Sequence, residues 1–262
     1  MSRARTVLAS ALSAVTLLST SGCLSADEGA PHAPIVAPSS AATSAPSAHA
    51  SGASSALTVA QAAAALITDT DLGGPWIPTA GVATWRDGLL KATTAAAGCQ
   101  RLLDSLYADE LLGAPGLAVT GLDDTDNGAQ LRYQVSAQPQ AAVAEALAWL
   151  KTVPQQCARF TATATTGAVL DVQAYDAPLP EVGDARQGLR VTVTAVTGPQ
   201  GQTLDADPTT LSLDVAVVRV GEDAFALTNG GMGDVPNDAT QAAVQLGAQR
   251  LAEVRRQGRA QV

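Results

Sequence analysis

An α+β domain, with a mainly antiparallel sheet packed against several helices, is predicted by three features of this 262-residue sequence. Apolar residues recur at helical spacing in well-separated stretches, they alternate with polar residues in several Val- and Thr-rich stretches, and short Gly-containing turns join those stretches. Strands joined by turns that short run antiparallel, because a parallel pair needs a crossover of roughly a dozen residues. Alternation also says that one face of the sheet is buried and the other wet.

The folded domain is expected over residues 57–262. Thr58-Val59-Ala60-Gln61 has the spacing of a capping box, and Val59, Ala62, Ala63, Leu66 and Ile67 then share one helical face. Asp71-Leu72-Gly73-Gly74-Pro75 ends that helix and turns the chain. Trp76 and Trp85 follow in a short irregular or extended region, where they either plug a core beneath a loop or form an exposed binding platform. A second helix is expected over 93–112, striped by Leu102, Leu103, Leu106 and Tyr107, with Cys99 one turn earlier and facing inward.

Strands at 116–122 and 130–137 flank Asp123-Asp124-Thr125-Asp126-Asn127-Gly128, whose Asn-Gly end favours positive φ. Asp123, Thr125, Asn127 and Gly128 match the first half of a calcium-binding EF-hand loop. The twelfth position is Gln134 instead of glutamate and no helices flank it, so an acidic hairpin turn is the better reading. A third helix follows over 140–152, with Val143, Leu147 and Leu150 as its seam and Trp149 beside it, ended by Pro154 just before Cys157.

Five further strands are expected at 160–165, 168–175, 189–196, 210–220 and 224–228. Gly230-Gly231-Met232-Gly233 lacks the lysine and the Ser/Thr of a phosphate-binding loop and reads as a flexible connector. Asn237 can cap a last helix running to about residue 257. Arg250, Arg255 and Arg256 near its end suit the helix dipole, or alternatively an acidic partner surface.

The start of the chain carries an address. Arg3 and Arg5 precede an apolar run over 7–18 that is too short to span a bilayer comfortably, and Ser21-Gly22-Cys23 follows. The segment resembles a bacterial lipoprotein signal, in which the Cys23 thiol is lipidated and residues 1–22 are removed. Thr20 stands where such signals most often carry leucine; the alternative is a plain secretory signal cut near Ser21-Gly22. Residues 23–56, with Pro31, Pro34, Pro38 and Pro46 among Ser, Ala and Gly, read as a disordered linker. The expected location is the extracellular face of the cell membrane, with membrane contact only through the lipid anchor.

Charge and cysteine usage narrow the function. The net charge of −9 becomes −11 once Arg3 and Arg5 are removed, which leaves no electrostatic footprint for nucleic acid. Abundant Ala, Val, Thr and Gly suggest a GC-rich genome such as an actinobacterium's. With Cys23 assigned to the anchor, Cys99 and Cys157 remain, and in an oxidising exterior they are expected to form one disulfide. A soft metal or redox pair would want closer spacing or nearby histidine. Both histidines, His32 and His49, lie in the linker, so residues 57–262 hold no imidazole for a Ser-His-Asp, Cys-His or zinc site. No cofactor or metal is expected. The 24 acidic residues leave open a carboxylate-based hydrolase acting on the envelope.

The order of these features, with the Asp71-Leu72-Gly73 turn and Trp76, Cys99 with Gln100, and the segment from Trp149 to Cys157, resembles the extracellular sensor domain of the mycobacterial kinase H (PknH-like) family over about 57–257. This sequence departs from that family in having one possible bridge where the kinase sensor is richer in cysteine, and in lacking kinase and transmembrane segments. The resemblance implies a cleft over the sheet and ligand sensing without catalysis; it transfers no ligand residues. The expectation is therefore a lipid-anchored ligand-binding or sensor domain for a small-molecule or envelope ligand, working through a membrane or surface protein partner. The alternatives are the envelope hydrolase and a structural or interaction lipoprotein. Trp76, Trp85 and Trp149 are the candidate ligand-binding residues, with core packing as the default role of each.

Overall fold

The computed structural model describes residues 56–204 and 208–260; Cys23, the signal over 1–22 and all but the last residue of the linker lie outside them. Among the described residues, nine strands form one sheet: β1 (Trp76–Pro78), β2 (Ala92–Thr93), β3 (Ala118–Asp124), β4 (Gln130–Ser136), β5 (Arg159–Ala164), β6 (Val169–Asp176), β7 (Ala185–Ala195), β8 (Thr210–Val220) and β9 (Asp223–Met232). The helices are α1 (Val59–Ala64), α2 (Asp69–Leu72), α3 (Ala97–Ala108), α4 (Gln140–Gln156) and α5 (Asp238–Ala260), with a π-helical turn at Arg86–Leu90. The order across the sheet is β1-β3-β4-β9-β8-β7-β6-β5-β2, and every neighbouring pair is antiparallel. β5 to β9 form a meander whose last strand returns to pair with β4.

The helices cover different parts of the two faces. Leu211, Leu213, Val215 and Val217 of β8 join Val191 and Val193 of β7 and Leu170 and Val172 of β6 in a core with α3 and α4. Ala216 and Val218 of β8 point the other way and join Phe225, Leu227, Leu131 and Tyr133 in a second core with α1 and α5. α5 packs over β8 and β9. Beyond it, the same face of β6 and β7 carries the paired rows Asp171 with Thr194, Gln173 with Thr192, and Tyr175 with Arg190. The alternating segments thus place a polar half-face beside a helix-covered one.

Several boundaries differ from the sequence expectation for local reasons. The capping box at Thr58 and Gln61 forms in both directions, at 3.2 and 2.9 Å, yet α1 stops at Ala64 and Thr68 starts the separate α2. α4 continues past Pro154 to Gln156, because proline in the last turn removes one donor while the Cys157 N–H still reaches the Val153 carbonyl at 2.7 Å. The glycine run expected as a connector is the end of β9: a Cβ at Gly230 would lie 2.5 Å from the Ser212 carbonyl oxygen, so only glycine lets β9 lie this close to β8. The arginines near the end of α5 are held within the domain, Arg250 by Asp71, Arg255 by Asp223 and Arg256 by Glu253, so ion pairing explains them better than the dipole alone.

Cys99 in α3 and Cys157 after α4 form the expected disulfide, with a Cα–Cα distance of 5.6 Å and both residues buried. In the other core, α5 crosses Tyr133 at Gly247, where an added Cβ would meet the phenol oxygen at 2.6 Å and Cε2 at 2.8 Å. Gly247→Ala is therefore expected to lower stability by about 1–3 kcal/mol through overpacking, despite alanine's better helix propensity. The Tyr133 hydroxyl is buried without a hydrogen-bond partner among the described residues, and burial pushes its pKa far above the usual tyrosine range. Tyr133→Phe is expected to raise stability by about 1 kcal/mol by removing that unpaired group. Urea denaturation of the two variants checks both signs; a stabilised Gly247→Ala protein would show that the helix has room to move away.

Candidate functional site

The paired row Asn229, Asp214, Arg190 and Tyr175 crosses β9, β8, β7 and β6 at the start of α5. In β8, Leu211, Leu213 and Val215 face α3 and α4, so Asp214 must face α5. There it is buried, and both its oxygens are engaged: Oδ1 accepts from Arg190 Nη1 at 2.9 Å, and Oδ2 accepts from the Thr240 hydroxyl at 2.9 Å. Thr240 in turn accepts from Asn229 Nδ2 at 3.2 Å, which ties the first turn of α5 to the sheet.

Arg190 is the pivot of this row. Its Nη1 also donates to the Val235 carbonyl at 2.8 Å, and its Nη2 donates to Asp234 Oδ1 at 2.9 Å. Burial disfavours its charge, but the Asp214 hydrogen bond and charge, with Tyr175 and Asp234 behind them, hold its pKa above the ordinary arginine value. A cleft of about 380 Å³ opens at this point, between β6 and β7 on one side and the 234–237 segment on the other. Tyr175, Pro178, Arg190, Asp234 and Asn237 are among its walls. Further along the same face, Arg159 grips Asp171 with two parallel hydrogen bonds of 2.8 and 3.0 Å. That pairing, with Gln173 as a further donor, keeps the Asp171 carboxyl below the usual carboxylate range.

The three tryptophans are not brought together. Trp76 is buried in the α5-side core and borders a separate cavity of about 210 Å³ with Asn229 and Val235. Trp85 and Trp149 pack against the other core. The Arg101 guanidinium lies 4.1 Å from the centroid of the Trp149 ring, and Arg86 lies 5.8 Å from that of Trp85. The acidic hairpin is built from side-chain turns: Asp124 Oδ1 accepts from the Asp126 N–H and Asn127 Oδ1 from the Ala129 N–H, each at 2.9 Å. Asp123 accepts from Gln130 Nε2 at 2.8 Å and from the Thr79 hydroxyl at 2.9 Å. These carboxylates hold loops in place.

Sequence reasoning missed the Arg190 row, although a trace of it was present. Leu189-Arg190-Val191-Thr192 placed Arg190 on the wet face, and Asp214 inside Leu211-Ser212-Leu213-Asp214-Val215 is a poor strand former with a stretch of good ones around it.

No protein-family model matches the chain, and no curated protein matches it. Among solved structures, the extracellular domain of PknH from Mycobacterium tuberculosis is similar at 14% identity, covering 78% of this chain and 99% of that one, with a TM-score of 0.42. The Ran-binding protein Mog1p from Saccharomyces cerevisiae matches at 12% identity, over 55% of this chain and 80% of that one, with a TM-score of 0.22.

Proposed function

We propose that this chain is a lipid-anchored, extracytoplasmic sensor-like domain that binds a small-molecule or envelope ligand in the Arg190 cleft and performs no catalysis. The observation that carries the reading is a buried carboxylate, Asp214, paired with the partly buried Arg190 at the margin of a polar sheet face, an arrangement that places a few oriented polar groups in a concavity. The Ser21-Gly22-Cys23 signal and the buried Cys99–Cys157 disulfide support an oxidising, extracellular setting. The absence of histidine from 57–262 and the double engagement of Asp214 argue against general acid–base chemistry at the cleft. The output of such a domain would pass to a membrane or surface protein.

A thermal-shift screen of the chain from residue 24 onward, against envelope lipids, glycans and small metabolites, tests the reading. A true ligand at about a hundred times its Kd stabilises the fold by about 2.7 kcal/mol, a rise of roughly 5–10 °C for a domain of this size. A flat response across the panel would count against a small-ligand site and favour the interaction-lipoprotein reading.

A further inference from the structure

We infer that the Arg190 cleft receives a carboxylate group of its ligand, and that Asp234 is an internal stand-in for that carboxylate, displaced when the ligand arrives. This rests on the reading of the cleft as a ligand site. The two acidic partners of Arg190 differ in one decisive respect: the Asp214 side chain is 3% exposed, and that of Asp234 is 96% exposed. Asp214 is locked from behind by Thr240, and Val235 holds the same guanidinium nitrogen through its carbonyl, so Nη1 is committed to the fold. Among the described residues, Nη2 is held only from the solvent side, by a carboxylate that water can replace at little cost.

Charge balance at Arg190 itself fits an exchange; the further carboxylate in the cleft wall, Asp176, is engaged by Gln187 Nε2 at 2.9 Å. Arg190 and Asp214 already compensate each other, and Asp234 adds one negative charge over the pair. An incoming carboxylate restores that charge when Asp234 swings away, and it can meet the same donor with the planar geometry that a guanidinium favours. Tyr175 stands beside Arg190 in register and is half exposed, and Asn237 lines the same cleft, so further donors are available at its rim. Gly233, at a φ of 82°, immediately precedes Asp234 and gives the displaced residue a turn to move on.

The test is a titration with acetate, at constant ionic strength set by chloride, followed through the Arg190 Nε–H signal in nitrogen–proton NMR spectra. Its assignment comes from the signal's loss in Arg190→Lys. Asp234→Ala removes the internal competitor from an exposed position, and acetate should then bind roughly fivefold more tightly than to the parent chain. Equal acetate affinity in both proteins, or an Arg190 signal that never responds, overturns the inference. Tighter binding of inorganic phosphate than of acetate to the variant would overturn the carboxylate assignment. If a compound from the thermal-shift panel stabilises the domain without moving the Arg190 signal, the inference and the placing of the ligand in this cleft both fail, while the reading as a ligand-binding domain stands.

Discussion

Replacing Asp109 by alanine is expected to lower folding stability by about 3–5 kcal/mol, the cost of leaving a buried cation without its partner. Asp109 ends α3 in the left-handed conformation, at a φ of 58°. From there its carboxylate accepts a hydrogen bond from Arg86 Nη2 at 2.6 Å and forms an ion pair with Arg132, 2.7 Å from Nε but without hydrogen-bond alignment. The Arg86 side chain is 4% exposed and also donates to the Leu106 and Tyr107 carbonyls at 2.7 and 3.1 Å, so one guanidinium closes the end of the helix. Without the carboxylate that charge stays buried, and alanine tolerates the left-handed turn less well than aspartate. Asp109→Asn keeps the backbone tolerance and one acceptor oxygen, so it should fall between the parent and the alanine variant. Urea denaturation at neutral pH measures both; a loss under about 1 kcal/mol for Asp109→Ala would show that Arg86 finds other partners or water.

Removing the bridge by Cys99→Ala with Cys157→Ala is expected to cost about 4 kcal/mol, from the entropy regained by the unfolded chain across a separation of 58 residues. The bridge joins α3 to the end of α4 within the core shared with β5 to β9, so its loss removes the covalent tie between that helix pair. Thermal unfolding of the double variant and of the reduced parent should show similar losses. Thiol labelling of the denatured, unreduced parent from residue 24 onward should find no reactive cysteine, and a stoichiometric signal would contradict the pairing.

The fold was legible where its cause is local. Alternation in 210–220 gave both ends of β8, because Leu211, Leu213, Val215 and Val217 face one core without interruption. The disulfide followed from counting, since only two thiols remain after Cys23. What stayed hidden depends on distant partners. Asp214 is explained by Thr240, 26 residues away, and Arg250 by Asp71, 179 residues away; neither pairing leaves a periodic trace in the sequence. β1 and β2 span three and two residues, too few for alternation to register. Core packing is the default for all three tryptophans and is where they lie, but residue type carries no information about which of the two cores each ring joins.

β8 and β9 are the only strands among the described residues with fully buried apolar side chains in both cores: Leu213 and Ala226 on one side, Ala216 and Phe225 on the other. The two apolar halves of the domain therefore share a common wall. Neither half can open without stripping cover from strands that the other half needs, so the domain loses its structure as one cooperative unit instead of in two steps. A contact on this wall, where the Asp214 side chain of β8 meets Arg190 of β7, is consequently felt by the whole molecule. Through that shared wall, a small event at the middle of the sheet becomes a change in the lifetime of the entire folded state.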